Sequence, residues 1–241
     1  MIRIYATSFR LFYRMLPLLV FLAVFLEGIT LWSTGASGSI GRMVALTFLA
    51  YMFHRYFLFD EPLTLRRQTG ATDTPPFQAG RFMLIALALL LAPLALGLWV
   101  TIAVLPPGAA REEQVVTLLA TMLPLYLLVL GIFGTLLPAS VARNPRYTLR
   151  AGMRQALPTM GRLILGSGLV GVVNLVLILG LGLMASQSPA LQGPVPTYLL
   201  GVLATTLGFL TSILGAATLC AAYDRVIARQ DASPLAAAPA A

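Results

Sequence analysis

One carboxylate of this chain lies inside a long apolar stretch. Glu27 interrupts the run from Leu16 to Trp32, and a charged group within a bilayer is costly enough to mark a candidate for proton or cation transport. A relay needs further ionisable groups at a similar depth, and the sequence places none there. We therefore expect Glu27 to form an ion pair with Arg42, near the start of the next apolar stretch.

Asn174 is a second polar residue near the middle of an apolar stretch. An amide in lipid is best satisfied by a hydrogen bond to another helix, so we predict a polar clasp between helices. The alternative is a ligand site in a small transporter, which Asn174 would share with Glu27.

Residues that could catalyse a reaction or hold a metal are sparse. The chain has one cysteine and one histidine, which excludes thiol metal clusters and paired-histidine zinc sites. The histidine, His54, lies beside Arg55 among aromatic residues, a combination typical of an interfacial anchor.

The spacing Gly166-Ser-Gly168-Leu-Val-Gly171 matches a dinucleotide fingerprint, but no strand precedes it, so close helix packing explains it better. We expect no enzymatic activity, no metal and no cofactor.

A line of small residues follows one face of the last apolar stretch, at spacings of four and three. We call it the helix-packing seam, and its members are Gly201, Thr205, Gly208, Ser212 and Gly215. Small residues let helices approach closely in membranes, so the seam is predicted to contact another helix. That helix belongs either to this chain or to a second protein, and the sequence leaves both open.

The residues from Val141 to Arg162 form a basic segment without any acidic residue. Its arginines are Arg143, Arg146, Arg150, Arg154 and Arg162. Asn144 and Pro145 are residue types expected at a helix start, and Pro158 is expected to close that helix. Three of the arginines then share one face and three apolar side chains share another. This pattern predicts an amphipathic helix at the water–lipid boundary, with its arginines among anionic headgroups.

Residues 2–15 have a similar design, with Arg3, Arg10 and Arg14 on one helical face. We interpret them as a second boundary helix. The alternative is the basic start of a signal peptide cleaved near Ala36. The apolar run that follows is long for a signal peptide and contains Glu27, which favours the first interpretation.

Composition decides which class of protein these elements build. Of the 241 residues, 59% are apolar and only 10% are charged, and the mean hydropathy is +0.89. Soluble domains carry about a quarter of charged residues, so an integral membrane protein is expected. Six apolar stretches approach the roughly 20 residues that cross a bilayer. They lie at about 15–33, 41–58, 82–105, 115–138, 162–185 and 197–222.

The arginines also orient these spans. A net charge of +8 would suggest nucleic acid in a soluble protein. Here all arginines except Arg42 and Arg111 fall on one side of a six-span arrangement. Because cytoplasmic loops collect basic residues, both termini are predicted in the cytoplasm, and anionic phospholipids rather than nucleic acid are the expected contacts. We predict one all-α, six-span domain over 1–230 with basic amphipathic boundary helices on the cytoplasmic side, and a disordered tail over 231–241.

Residues 125–165 carry a resemblance to known proteins. Their sequence is LYLLVLGIFGTLLPASVARNPRYTLRAGMRQALPTMGRLIL: an apolar span ending in proline, a polar turn, a basic segment and the next span. This pattern resembles bacterial six-helix inner-membrane proteins, which include the YciC-type proteins and the membrane domain preceding some glycerophosphodiester phosphodiesterases. The opening SFRLFYRMLPLLVFL is similar to their first span. The resemblance implies a fold and an inner-membrane setting, but no reaction and no site residues, because the phosphodiesterase active site lies in a separate soluble domain.

These observations predict a non-enzymatic accessory or scaffold protein of the bacterial inner membrane. It is expected to bind partner membrane proteins, anionic phospholipid, or both. The alternative is a small transporter or lipid-handling protein with a site near Glu27 and Asn174. The oligomeric state does not follow from the sequence.

Overall fold

The computed structural model describes residues 2–32, 36–61, 75–106, 108–187 and 193–232, and all regular secondary structure in these ranges is helical. The helices are α1 (Ile2–Trp32), α2 (Ala36–Phe59), α3 (Gly80–Val104), α4 (Arg111–Phe133), α5 (Leu136–Ala142), α6 (Leu149–Met153), α7 (Ala156–Leu163), α8 (Leu169–Gln187) and α9 (Pro194–Asp231), with a π-helical turn, the π turn (Ile164–Gly168), between α7 and α8. The predicted all-α class is confirmed.

Five helical runs are long and apolar enough to cross a membrane, and they identify a multi-pass membrane protein. They are Ile2–Thr30, Gly80–Val104, Glu113–Phe133, Ala156–Met184 and Pro194–Asp231. The remaining predicted span, 41–58, falls within α2. The 24 residues of α2 are enough to cross a bilayer. Arg42, His54 and Arg55 lower the hydropathy of α2, so six spans stay a prediction.

The first predicted boundary helix is not a separate element. Residues 2–15 are the opening turns of α1, which is a single helix of 31 residues with Pro17 in its interior. Proline is tolerated inside membrane helices because neighbouring groups satisfy the carbonyl that it leaves unpaired. At about 1.5 Å per residue α1 is about 46 Å long. This exceeds the roughly 30 Å of a hydrocarbon core, so α1 is long enough to cross a membrane.

The start of the predicted amphipathic helix in the basic segment is wrong. The helix begins at Leu149, and its N-cap is Thr148, whose hydroxyl accepts a hydrogen bond from the amide of Ala151 at 3.4 Å. Oδ1 of Asn144 accepts one from the amide of Arg146 at 2.9 Å. Asparagine makes such local turns as readily as it caps helices, so the Asn-Pro pair misplaced the start.

The predicted end of that helix is also wrong. α6 has only five residues, and α7 starts at Ala156 with Pro158 in its first turn, where proline is accepted because no intrahelical amide donor is needed. The three arginines predicted on one helical face are therefore distributed. Arg146 lies in the turn before α6, Arg150 within α6 and Arg154 in the break after it.

The other predicted spans differ from the structure mainly in their bounds. The stretch 115–138 is interrupted, because α4 ends at Phe133 and α5 starts at Leu136. The stretch 162–185 lies within the longer helical run that α7, the π turn and α8 form from Ala156 to Gln187. α9 extends beyond 197–222 and reaches Asp231, the first residue of the predicted disordered tail. The rest of that tail, 233–241, lies outside the described residues.

The chain divides into two compact units. Unit 1 comprises Met1–Phe53 and Ile164–Thr218, and unit 2 comprises His54–Leu163 and Leu219–Ala241. Buried apolar side chains of unit 1 include Leu19, Leu26, Phe209 and Ile213, and those of unit 2 include Phe82, Leu137, Leu163 and Val226. Within unit 2 the helices α3 and α4 approach closely at Gly97, where a Cβ would lie 3.3 Å from the side chains of Leu118 and Met122. The single domain over 1–230 stays a prediction.

Candidate functional site

In unit 1, residues from α1, α2 and α9 form a closed polar group, the Glu27 cluster. Nη1 of Arg42 lies 2.9 Å from Oε1 of Glu27. The Thr205 hydroxyl donates to the same oxygen at 2.5 Å and accepts from Nη2 of Arg42 at 2.7 Å. The Glu27 side chain is 13% exposed and that of Arg42 is 33% exposed. The predicted ion pair is present, and Thr205, which was predicted only as a member of the seam, completes it.

Gly201, one turn before Thr205, makes room for the carboxylate. A Cβ at Gly201 would lie 2.9 Å from Oε2 and 3.1 Å from Cδ of Glu27, closer than real side chains approach. The Tyr198 hydroxyl also donates to the carbonyl of Val24 at 2.8 Å. The first turns of α9 are therefore attached to the end of α1 by polar contacts.

The rest of the helix-packing seam has two parts. A Cβ on Gly215 would contact Ser167 of the π turn at 3.9 Å. Gly208 has nothing within 4 Å of an added Cβ, and Ser212 is exposed, with its hydroxyl donating to the Gly208 carbonyl at 3.2 Å. Gly208 and Ser212 thus form an open part of the seam.

Asn174 of α8 is half-buried, and its Oδ1 is shielded from solvent without a hydrogen-bond partner in the described ranges. The predicted clasp through this oxygen is therefore not formed. α8 instead approaches α9 at Gly171, where a Cβ would lie 3.5 Å from Cγ2 of Thr211. No hydrogen bond within the described parts joins Asn174 to Glu27, so the two predicted members of a transport site are not linked.

The π turn receives a side chain from α1. A π-helical turn disturbs the regular pairing of backbone carbonyls, and the Tyr5 hydroxyl donates a hydrogen bond to the carbonyl of Leu165. Gly166, Gly168 and Gly171 surround this position. Close helix packing is observed at Gly171, where α8 approaches α9, and stays a prediction at Gly166 and Gly168.

In unit 2, the buried Arg55 forms an ion pair with the half-buried Glu61, which the sequence did not predict. The residue is 4% exposed, and its Nε and Nη2 each lie 2.5 Å from a carboxylate oxygen of Glu61. Nη2 also donates to the carbonyl of Pro75 at 3.0 Å, and the rings of Phe59 and Phe77 lie 5.4 and 5.8 Å from Cζ. Through these contacts Arg55 connects the end of α2 to the residues that precede α3. The nearby acidic pair at 60–61 was the available signal.

Most of the predicted boundary arginines are exposed. This holds for Arg3, Arg10 and Arg14 on α1 and for Arg143, Arg146, Arg150 and Arg154 in the basic segment. Arg146 forms an ion pair with Asp231 at 3.0 Å. Arg150 and Arg154 form none within the described residues. Arg162 is half-buried, and its Nη1 has no hydrogen-bond partner in the same ranges.

Apolar side chains accompany these arginines at the surface. Leu149, Met153 and Leu157 are 42%, 46% and 74% exposed. Guanidinium groups and exposed apolar side chains thus alternate along the basic segment, as at a boundary between phosphate groups and acyl chains.

Arg81 and Arg143 line a pocket of about 520 Å³ in unit 2, which we call the Arg81 pocket. Of these two arginines, only Arg143 was predicted from the sequence as a site residue. Nη2 of Arg143 donates to Oε1 of Gln78, which also lines the pocket. An arginine in the first turn of an apolar helix was the available signal, since such residues lie at headgroup level.

Tyr147 forms one wall of the Arg81 pocket. Its hydroxyl lies 2.9 Å from Oγ1 of Thr135, and its ring lies 5.7 Å from that of Tyr223. Burial raises the pKa of Tyr147, and the hydrogen bond with Thr135 lowers it by less. Tyr147 is therefore a neutral hydrogen-bonding group near pH 7. Gly152 packs against this pair, since a Cβ there would lie 2.7 Å from Oγ1 of Thr135.

No protein-family model, curated protein or solved structure matches this chain. Its function must therefore follow from the chemistry of the Glu27 cluster, the boundary arginines and the Arg81 pocket.

Proposed function

We propose that this chain is a non-enzymatic accessory protein of the bacterial inner membrane that binds anionic phospholipid along its basic segment. The observation that carries the proposal is the mixture of exposed arginines and exposed apolar side chains between Leu149 and Leu157. Arg150 and Arg154 have no carboxylate partner within the described residues. Their charges are thus available for phosphate groups, while the apolar neighbours enter the acyl region.

The proposal includes six spans with both termini in the cytoplasm, so that the basic segment meets the anionic inner leaflet. In this arrangement α2 also crosses the membrane, which brings the number of spans to six. Arg42 is a costly residue in such a span, and its ion pair with Glu27 supports the assignment because it neutralises both charges. The resemblance of residues 125–165 to YciC-type proteins supports the same setting.

Lipid binding is tested by native mass spectrometry of the full chain after gentle extraction. The double variant Arg150→Gln/Arg154→Gln should retain fewer phosphatidylglycerol molecules than the unchanged protein, because two phosphate contacts are lost. Arg111→Gln removes one charge at the first position of α4, on the predicted opposite side, and should retain the full number. Equal retention by all three proteins, or equal retention of a neutral phospholipid, would remove the proposed function.

A second candidate is binding of a partner membrane protein, and the open part of the seam favours it. Gly208 meets no other side chain within 4 Å of its Cβ position, and Ser212 is exposed beside it, so a helix of another protein can approach there. A partner at fixed stoichiometry should copurify from native membranes and be lost in Gly208→Leu. Recovery of the chain without any protein partner would exclude this candidate.

The alternative of a small transporter has less support from the geometry. Oε1 of Glu27 already accepts hydrogen bonds from Arg42 and Thr205. The negative charge of the carboxylate is therefore compensated within the cluster. Transport through Glu27 requires that this cluster open, and solute uptake in a Glu27→Gln variant measures that requirement directly.

A further inference from the structure

The Arg81 pocket offers hydrogen-bonding groups from three parts of unit 2. Gln78 and Arg81 come from the residues just before α3 and from its first turn, Ser140 comes from α5, and the turn that follows α5 contributes Arg143, Asn144 and Tyr147. Its volume of about 520 Å³ lies in the range of small-molecule sites, roughly 300–1,000 Å³. Apolar side chains, among them Ile85 and Leu136, form the rest of the lining.

The described lining of the pocket carries two positive charges and no negative charge. None of its lining residues is acidic, and within the described ranges neither Arg81 nor Arg143 takes part in an ion pair. Arg143 donates instead to the neutral amide of Gln78, which orients the guanidinium without neutralising it. Two uncompensated guanidinium groups at one pocket fit a phosphate, which each can bind through two parallel N–H donors.

The backbone at Arg143 adopts a conformation that residues with a side chain disfavour. The residue has φ 52° and ψ 30°, in the left-handed region where glycine is favoured and a residue with a side chain is strained. A glycine would end α5 more easily, yet an arginine occupies the position and its guanidinium lines the pocket. Strained residues of this kind cluster at binding sites.

The surrounding helices indicate which phosphate the pocket meets. Arg81 is the second residue of α3, a helix long and apolar enough to cross a membrane. Arg143 directly follows α5, which comes after another such helix, α4. The ends of membrane-spanning helices lie at the level of lipid headgroups, so a lipid phosphate reaches the pocket more readily than a phosphate free in solution.

We propose that the Arg81 pocket is a specific site for the phosphate of an anionic phospholipid, with Arg81 and Arg143 as its binding residues. This proposal rests on the proposed function, because it names one site for the lipid that the basic segment binds diffusely. The apolar lining contributed by Ile85 and Leu136 accommodates the first carbons of the lipid.

The test is a titration of the delipidated full chain with dihexanoyl phosphatidylglycerol, followed by native mass spectrometry. Arg81→Gln and Arg143→Gly should each raise the Kd about tenfold, because each removes a charge-assisted hydrogen bond. Arg229→Gln, which removes an exposed arginine of α9 outside the pocket, should change it less than about twofold. Arg143→Gly relieves the backbone strain and should unfold no earlier than the unchanged protein. Its loss of affinity is thus separated from misfolding.

Two competitors distinguish the source of the phosphate. Dihexanoyl phosphatidylcholine should bind weakly, and inorganic phosphate should displace the anionic lipid only at concentrations far above the lipid Kd. Displacement by inorganic phosphate at the same concentration as the lipid would overturn the assignment to a lipid.

Failure of this site differs from failure of the proposed function. If the unchanged protein binds the anionic lipid and Arg81→Gln and Arg143→Gly bind it equally well, the pocket proposal is wrong while lipid binding stands. Equal weakening by Arg229→Gln also overturns the pocket, because the loss is then one of overall charge. If the unchanged protein shows no preference for the anionic lipid, both proposals are wrong.

Discussion

At the scale of single residues, the Glu27 cluster shows how a carboxylate is accommodated in an apolar helix. One oxygen accepts hydrogen bonds from Arg42 and Thr205, and Gly201 leaves space for the other. Such a group is costly to desolvate unless every member is satisfied. The cluster therefore holds α1, α2 and α9 in one register within unit 1, since a shift of one residue separates the partners.

Removal of one partner from this cluster should destabilise the protein. Glu27→Gln leaves the guanidinium of Arg42 without its anion, and we expect a loss of about 1–3 kcal/mol in the free energy of unfolding. Glu27→Gln/Arg42→Gln should lose less than the sum of the two single variants, because the unpaired charge is also removed. Equilibrium unfolding in mixed detergent micelles measures the three values. A Glu27→Gln variant that keeps full stability but loses solute uptake would instead assign Glu27 to transport.

The two glycines at either side of Thr205 should respond in opposite ways. Gly201→Ala places a Cβ 2.9 Å from Oε2 of Glu27, and since the carboxylate is held by its partners, we expect a loss of about 1–3 kcal/mol. Gly208→Ala meets nothing within 4 Å and should be neutral or stabilising by up to about 1 kcal/mol, because alanine favours the helix. The same unfolding measurement compares them. Equal effects would show that Gly201 does not constrain Glu27.

At the scale of elements, the π turn and the basic segment depart most from a regular helix. The π turn lies inside a helical run of membrane-crossing length, and its irregular backbone is partnered by Tyr5 from α1. Irregular backbone within a membrane needs such a partner because lipid supplies no hydrogen bonds. The contact makes the first turns of α1 part of unit 1 rather than a separate surface helix.

Tyr5→Phe should therefore loosen the π turn. The substitution removes the hydrogen bond from the hydroxyl to the Leu165 carbonyl, and we expect hydrogen exchange of the amides over 164–170 to accelerate by up to about tenfold. Tyr13→Phe is the matched control on the same helix, since Tyr13 is 80% exposed. Mass spectrometry of peptides after exchange reads both variants. Unchanged exchange in Tyr5→Phe would show that the hydroxyl is dispensable.

At the scale of the whole molecule, the number of spans decides whether the N-terminus and the basic segment lie on the same side of the membrane. With six spans, Ile2 and Gln114 lie on opposite sides of the membrane; with α2 outside the bilayer, five spans place them on the same side. The ion pair between Arg42 and Glu27 favours six, because it removes one of the charges that oppose insertion of α2.

Cysteine labelling in intact spheroplasts measures this number. A membrane-impermeant maleimide should label Gln114→Cys and leave Ile2→Cys unlabelled until the membrane is opened. Cys220 is buried and provides an unreactive background in the folded protein. Labelling of both positions, or of neither, in sealed spheroplasts would be the result expected from five spans. Because α4 separates Gln114 from the basic segment, an unlabelled Gln114→Cys would overturn the proposed cytoplasmic location of the basic segment.

The sequence by itself determined the properties that depend on residue type along the chain. Long apolar runs predicted a helical multi-pass membrane protein, because lipid accepts only backbones that satisfy their own hydrogen bonds. Depth within such a run marked Glu27, and Arg42 was the basic residue near the start of the next apolar stretch. Arginine-rich loops marked the boundary residues, most of which are exposed.

Only the tertiary structure decided which side chains meet. Thr205 joins Glu27 and Arg42 because α9 packs on α1 in one register, and the two positions are far apart in sequence. Arg81 joins Arg143 at a pocket for the same reason. Local signals also competed in the basic segment, where Asn144 forms a turn and Thr148 takes the cap. Which residue caps the helix depends on small free-energy differences between alternative hydrogen bonds. Packing decides between these alternatives, whereas residue type alone does not.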